Sequence, residues 1–248
     1  IPPASSVELP LDETTIAELL KGAGYATAHF GKWHVGRTDP AEHGFDESDG
    51  ATKNGGPEDV AHPHPKQLYG MTERSMDFMT RQVQAGKPFY LQMSHYASRH
   101  VEDALPETVA TVRSWAGDAD GRRLGEAAAA LDLDISLGMI LKKLDELRIA
   151  DRTYVVYTAD HGTPGRNPPL SGGKGTVSEG GLRVPLLIRG PGIKPGSCSH
   201  VRASGADLFP TFAELAYVTS PWPQGIEGGS LVPVLTSGGN GTVKRPRE

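Results

Sequence analysis

Residues 24–34 read GYATAHFGKWH and decide how the chain begins to fold. Gly24 ends a helical pattern over residues 14–24, in which apolar residues recur at spacings of three and four. Residues 25–30 predict a strand. Gly31 then allows a tight turn, and the residues behind it include Lys32 and His34, whose side chains are capable of chemistry. This stretch therefore predicts a helix, a strand and a candidate site in direct succession.

Strands and helices continue to alternate along the chain. Further strands are predicted over residues 89–93, 152–158 and 184–188. Further helices are predicted over residues 72–85, 124–148 and 207–216. A Gly/Pro/His-rich passage at about 38–65 predicts a long flexible loop.

This alternation predicts an α/β fold with a mixed, largely parallel central sheet and helices on both faces. We expect residues 1–248 to form a single domain, because 248 residues suffice for one large core. Ligands of such sheets bind beyond the carboxyl ends of the strands. Polar clusters follow three of the predicted strands, so we expect them to meet at one site.

Composition argues against a nucleic-acid partner, a membrane span and an internal disulfide. The formal charge of −5, from 25 basic and 30 acidic residues, gives no reason to expect a nucleic acid. The chain has no apolar run long enough for a membrane span. The single cysteine, Cys198, excludes an internal disulfide.

The polar clusters suit an oxyanion and a metal ion. Lys32 and Lys174 lie in glycine-rich turns, where two ammonium groups can approach different oxygens of a tetrahedral anion. The adjacent pair Asp160 and His161 suits a divalent metal. With a histidine nearby as proton donor, such a site would cleave a sulfate or phosphate ester.

Nucleotide-binding and serine-hydrolase motifs are absent from the sequence. Gly175 follows Lys174 where a P-loop has Ser or Thr, so the Walker pattern fails. No G-x-G-x-x-G motif follows a predicted strand, and no G-x-S-x-G elbow is present.

Several segments together resemble the sulfatase family. Residues 24–36, GYATAHFGKWHVG, resemble the family's second signature. Residues 172–185, GGKGTVSEGGLRVP, resemble its lysine loop, and TADHG at 158–162 resembles its metal segment. HGFD at 43–46 and DLFPT at 207–211 also fit. The resemblance runs in order along nearly the whole chain.

The resemblance implies an alkaline-phosphatase-like fold that hydrolyses sulfate esters with a calcium ion. Asp160 and His161 would be the metal ligands. The substrate would be a sulfated small molecule or carbohydrate. By resemblance alone, the compartment would be secreted or periplasmic.

The resemblance also implies roles for four side chains. Lys32 would hold the sulfate or the nucleophile, and His34 would contact the hydroxyl group of the nucleophile. Lys174 would bind a sulfate oxygen. His100 would bind sulfate and protonate the leaving oxygen.

The family's nucleophile, a formylglycine made from Cys or Ser in a C-x-P-x-R motif, is absent from the 248 residues. Cys198 is followed by His200 where the motif requires proline, and it lies too late in the chain. We therefore expect a fragment of a longer sulfatase, without the family's C-terminal subdomain. The alternatives are a phosphodiesterase or phosphonate monoester hydrolase of the same superfamily, and a non-catalytic relative that binds an oxyanion.

Overall fold

The computed structural model describes residues 8–53, 65–96, 100–117, 121–164, 167–218 and 222–246. The helices are α1 (Ile16–Gly22), α2 (Leu68–Gln84), α3 (Pro106–Ala116), α4 (Gly121–Glu146), α5 (Glu179–Leu182), α6 (Leu208–Leu215) and α7 (Val232–Thr236). The strands are β1 (Ala26–Gly31), β2 (Glu47–Ser48), β3 (Phe89–Ser94), β4 (Val155–Thr158) and β5 (Leu186–Arg189). The chain divides into two compact units, Ile1–Leu147 and Arg148–Glu248.

The first unit contains a parallel sheet in the order β2-β1-β3. The register pairs Ala26 with Phe89 at one end and Gly31 with Ser94 at the other. The carboxyl ends of β1 and β3 therefore lie side by side. Residues that follow these two strands leave the sheet at the same edge.

Strand β1 is buried along its whole length. Ala26, Ala28 and Phe30 form a core cluster with Met71 and Phe78 of α2. Successive side chains of a strand point to opposite faces, so Thr27 and His29 lie on the face away from α2. Helix α1 also contacts β1. The central strand of this unit is thus shielded from water on both faces, as the sequence pattern predicts.

A buried carboxylate joins the helices of the first unit. Asp132 of α4 is 1% exposed. It accepts hydrogen bonds from the hydroxyls of Tyr69 in α2 (2.9 Å) and Thr108 in α3 (2.6 Å). An unpaired buried carboxylate would carry a large desolvation cost, so these donors fix the three helices to one another.

Part of the predicted loop at 38–65 has regular structure. A 3-10 turn covers Pro40–His43, and Asp39 caps it by accepting a hydrogen bond from the backbone N–H of Ala41 (2.9 Å). Strand β2 follows and pairs with β1. Strand β3 covers one edge of β1, and β2 supplies hydrogen-bond partners for backbone groups on the other edge. The predicted flexibility at 54–64 lies outside the described residues.

The second unit contains β4 and β5, which pair antiparallel with Val155 opposite Arg189 and Thr158 opposite Leu186. The segment between them, residues 159–185, therefore folds back on itself, and the helix in the described part of that segment is the four-residue α5. Asp207 precedes α6 and is fully buried against Arg245, whose Nη2 lies 2.9 Å from Oδ2.

The predicted α/β class, with mixed and largely parallel strand pairing, is confirmed. The described strands belong to two sheets, one in each unit. The single domain expected over residues 1–248 stays a prediction. None of the helices in the described ranges combines the length and apolar character that a membrane crossing requires.

Candidate active site

The turn that carries Lys32 begins where β1 ends, at Gly31. This glycine has a φ of +102°, and a Cβ atom at this position would collide with the carbonyl oxygen of Ser94. The backbone N–H of Lys32 donates to that same oxygen at 2.7 Å. Only glycine fits this approach, and the approach holds Lys32 against the end of β3.

Two residues of the predicted loop hold the backbone of this turn. The N–H of Gly31 donates to Oδ2 of Asp49 at 2.9 Å. The N–H groups of Trp33 and His34 donate to the carbonyl oxygen of Thr52 at 3.2 and 3.1 Å, and the hydroxyl of Thr52 donates to the carbonyl of Gly31 at 2.5 Å. Sequence reasoning missed Asp49 and Thr52, because no motif marks an acceptor of backbone N–H groups.

The side chains of the turn differ in exposure. Lys32 is half-buried, and His34 is exposed with a φ of +46°, in the left-handed region that few non-glycine residues adopt. His100 is also exposed and immediately precedes the 3-10 turn Val101–Asp103. The structure places Lys32 and His34 together at the carboxyl edge of the sheet. Residues 97–99, which belong to the polar cluster that follows the predicted strand at 89–93, lie outside the described part of the chain.

A buried histidine supports this turn from below. His29 is 1% exposed, and its Nε2 lies 3.0 Å from the hydroxyl oxygen of Ser94 in β3. Its ring makes edge contacts with Trp33 and Phe45, at centroid distances of 5.1 and 5.4 Å. Burial lowers the pKa of His29 to about 4, although the carboxylate of Asp49 acts in the opposite direction. His29 is therefore a neutral packing residue at neutral pH.

Asp160 and His161, the predicted metal ligands, follow β4 in the second unit and contact each other. Oδ2 of Asp160 lies 3.0 Å from Nε2 of His161, and Oδ1 of Asp160 accepts the backbone N–H of His161 at 3.0 Å. Nδ1 of His161 lies 3.0 Å from the carbonyl oxygen of Gly162. Both ring nitrogens thus have protein partners.

The lysine loop contacts the two residues that directly follow this pair, Gly162 and Thr163. The N–H of Gly162 donates to the carbonyl of Gly181 at 2.9 Å, and the N–H of Lys174 donates to the carbonyl of Thr163 at 3.2 Å. Two of the predicted clusters, at 160–162 and 172–183, are therefore one structural element. The side chain of Lys174 is exposed.

Glycines make this contact possible. A Cβ atom at Gly162 would collide with the carbonyl of Gly180, and one at Gly180 would collide with the carbonyls of Ser171 and Gly172. A Cβ atom at Gly181 would meet the carbonyls of Gly173 and Thr176. The glycines of the motif are thus required for close backbone packing.

The described residues do not complete a calcium site. Calcium takes about six to eight oxygen ligands, and Asp160 and His161 offer one carboxylate and one imidazole. Within the described ranges, no group of three or more His, Cys, Asp or Glu side chains is placed to hold a metal ion. The predicted metal and its identity therefore stay predictions.

The whole pattern, a lysine turn after β1 and a glycine-packed lysine loop beside Asp160 and His161, belongs to a known class of protein. The model of the sulfatase family matches residues 1–218, and this chain belongs to that family. The predicted alkaline-phosphatase-like fold is confirmed.

Two curated relatives and one solved structure illustrate the similarity. The chain is 32% identical to N-acetylgalactosamine-6-sulfatase of Canis lupus familiaris, over 93% of this chain and 50% of that protein. It is 31% identical to arylsulfatase A of Homo sapiens, over 99% of this chain and 55% of that protein. The crystal structure of Ps i-CgsB in complex with k-i-k-neocarrahexaose matches with a TM-score of 0.82 and 25% identity, over 96% of this chain and 60% of that one. The chain spans about half the length of the curated relatives that it matches.

Proposed function

We propose that this chain carries the sulfate-binding part of a sulfatase site that hydrolyses sulfate esters of carbohydrates. The observation that carries the proposal is the backbone junction between the lysine loop and the Asp160–His161 segment, because it holds the backbone of Lys174 against Thr163 in a member of the sulfatase family. A carbohydrate substrate is supported by the name of the relative N-acetylgalactosamine-6-sulfatase and by the oligosaccharide in complex with Ps i-CgsB.

In this proposal, Lys32 and Lys174 bind oxygens of the sulfate group. Charge-assisted hydrogen bonds from ammonium groups stabilise an oxyanion more strongly than neutral donors do. The half-buried position of Lys32 strengthens such a contact, since a partly dehydrated charge is screened less by water. His34, next to Lys32 in the same turn, contacts the hydroxyl group of the nucleophile.

His100 binds the sulfate and protonates the leaving oxygen. When the bond between sulfur and the ester oxygen breaks, negative charge develops on that oxygen, and an imidazolium can neutralise it by giving up its proton. The attacking group is the formylglycine of the family, which these 248 residues do not contain. Asp160 and His161 would contribute ligands to a divalent metal, calcium, which would supply positive charge to the site.

The test is binding of inorganic sulfate, measured by calorimetry on the chain and on its Lys174→Ala variant. Removing one charge-assisted contact should weaken sulfate binding by about tenfold or more. Lys194→Ala is the matched control, because Lys194 is an exposed lysine of the same unit outside the glycine loop. Equal affinities of the wild-type chain and Lys174→Ala would reject the proposed role of Lys174.

The same experiment separates sulfate from phosphate chemistry. A sulfatase site should bind sulfate more tightly than phosphate at neutral pH, where phosphate carries less negative charge than sulfate and still holds protons. Preference for phosphate would favour the phosphodiesterase or phosphonate hydrolase alternative. Release of sulfate from N-acetylgalactosamine 6-sulfate tests turnover in a longer chain that also carries the C-x-P-x-R motif. Tight sulfate binding without turnover in such a chain is the result expected of a non-catalytic relative.

A further inference from the structure

An ion pair shielded from water lies directly behind the lysine turn of the first unit. Nη2 of Arg74, in α2, lies 2.8 Å from Oδ2 of Asp49. The same oxygen accepts the backbone N–H of Gly31 at 2.9 Å. The side chain of Asp49 is 4% exposed and that of Arg74 is 26% exposed. One carboxylate oxygen therefore connects a helix to the residue that immediately precedes Lys32.

Both partners of this pair are themselves held in place. The backbone N–H of Asp49 donates to the carbonyl of His29 at 3.2 Å, which continues the pairing of β2 with β1. The guanidinium of Arg74 lies over the ring of Phe30, 5.9 Å from its centroid. Phe30 in turn packs against Phe78 in the core of the unit. The contact with Gly31 is thus backed by the sheet and by the core.

The contact also satisfies groups that burial would otherwise leave without partners. A buried carboxylate is costly without a cation and hydrogen-bond donors, and a buried N–H is costly without an acceptor. Asp49 receives a donor from each neighbour, one charged and one neutral. Moving the end of β1 would take the Gly31 N–H away from a carboxylate that Arg74 holds in place, so the orientation of the turn is tied to this pair.

We propose that Asp49 and Arg74 are positioning residues, which hold the Gly31–Lys32 turn so that the ammonium group of Lys32 meets the sulfate. The inference rests on the proposed sulfate-binding function of Lys32. Neither residue touches the substrate in this account; both act through the backbone of Gly31. Well-held supporting residues preserve the geometry on which a binding group depends.

A second ion pair, which joins β2 to α2 close to the first, provides a matched control. Glu47 of β2 and Arg81 of α2 form two contacts of 2.7 Å each. This pair is more exposed, with side-chain exposures of 34% for Glu47 and 45% for Arg81. The hydrogen bonds of Arg81 go to Glu47 and Asp77, away from residues 31–34. Loss of this pair should leave the turn unchanged.

The first measurement is amide hydrogen exchange of residues 31–34 in Asp49→Ala and Glu47→Ala. Asp49→Ala removes the acceptor of the Gly31 N–H, so exchange at Gly31 should accelerate about tenfold or more, whereas Glu47→Ala should leave it unchanged. Equal exchange in the two variants would overturn the inference. If Asp49→Ala does not fold, Arg74→Lys is the second variant, because it retains the positive charge at position 74 and the contact between Asp49 and Gly31. Arg74→Lys should accelerate exchange at Gly31 by a smaller factor than Asp49→Ala would.

The second measurement is the affinity for inorganic sulfate, compared in Asp49→Asn and Glu47→Gln. Asp49→Asn keeps the size of the side chain but loses the ion pair with Arg74, and should weaken sulfate binding about five- to tenfold. Glu47→Gln should have no effect. In a Lys32→Ala background, Asp49→Asn should cause no further loss, since the position of an absent ammonium cannot matter.

The outcomes distinguish this inference from the proposed function. If the wild-type chain binds no sulfate, the proposed function fails, and the positioning role toward sulfate fails with it. If the wild-type chain and Lys32→Ala differ in affinity but Asp49→Asn matches Glu47→Gln, the proposed function survives and the positioning role is overturned. A further loss in the Lys32→Ala background would also overturn it, because the effect would then be general to the fold.

Discussion

The two lysine-bearing segments of this protein are built in different ways. In the first unit, residues 31–34 are held by the side chain of Asp49 and by both the hydroxyl and the carbonyl of Thr52. In the second unit, residues 172–183 are held mainly by backbone hydrogen bonds, with a further contribution from the hydroxyl of Thr176, and the backbones approach closely at Gly162, Gly180 and Gly181. The first segment therefore depends mainly on the side chains that hold it, and the second depends on glycines that leave room for close backbone packing.

This difference determines how each segment can fail. A turn held by polar side chains loses one hydrogen bond when a partner is truncated, and its neighbours can partly compensate. A loop packed through glycines has no such tolerance, because an added Cβ atom collides with a carbonyl oxygen that cannot move alone. Both arrangements hold the backbone of a lysine. In the first, an ion pair between Asp49 and Arg74 lies behind the turn.

The largest effect should come from Gly162→Ala, which breaks the glycine-packed segment. Its Cβ atom would collide with the carbonyl of Gly180, and we expect a loss of about 4 kcal/mol in the free energy of unfolding. Gly205→Ala is the control, since no atom lies within 4 Å of a Cβ atom at that position. It should change stability by less than about 1 kcal/mol. Urea unfolding measures both, and similar values for the two variants would contradict the packing argument.

The next effect is the dependence of stability on pH, which should differ between the two segments. Residues 171–183 contain no histidine, whereas Trp33 in the turn of the first unit packs against His29. Burial lowers the pKa of His29 from 6.5 to about 4, so between these values the unfolded chain binds a proton that the folded protein does not. Stability from this group is complete above pH 6.5 and is lost as the pH falls toward 4. The expected loss is on the order of 3 kcal/mol.

Burial lowers the pKa of His95 to about 4 as well, so this histidine adds to the acid sensitivity in the same direction. Urea unfolding at a series of pH values between 7 and about 4 measures the combined slope. His29→Gln, which removes the titrating group, should flatten that slope by about half. An unchanged slope in His29→Gln would show that His29 is not the source.

The smallest effect should come from Thr52→Val, which removes one hydroxyl from the turn. The hydroxyl donates to Gly31 and lies 3.3 Å from the N–H of Trp33. We expect a loss of about 1 to 2 kcal/mol, because the buried carbonyl of Gly31 loses this donor, whereas the N–H of Trp33 keeps the carbonyl of Thr52. Thr52→Ser should restore most of it, since it keeps the hydroxyl. If Thr52→Ser were as unstable as Thr52→Val, packing of the methyl group would explain the loss instead.

Sequence patterns predicted the regular elements that depend on local order. The strand predicted at 25–30 is Ala26–Gly31, and the strand predicted at 89–93 is Phe89–Ser94. Helix α3 was not predicted, because its buried face includes Thr108, whose hydroxyl donates to Asp132. A polar residue on the buried face weakens the periodic apolar signal that marks an amphipathic helix.

Tertiary structure was needed where partners lie far apart along the chain. The alternation of strands and helices predicts mostly parallel pairing, but β4 and β5 are antiparallel, and the described part of the segment between them contains the short helix α5. Likewise, Gly162 and Gly180 are adjacent only because two loops fold against each other. The predicted roles of the site residues stay predictions.

By itself, the sequence determined the α/β class, the sulfatase motifs and the identity of the candidate residues, including Lys32 and Lys174. These features are local, since a motif lies within a short segment and its residue types carry its chemistry. Only the tertiary structure decided that Asp49 and Arg74, 18 and 43 positions beyond Gly31, meet at the end of β1. The physical reason is that hydrogen bonds and ion pairs form between groups that packing brings together, and spacing along the chain does not encode that approach.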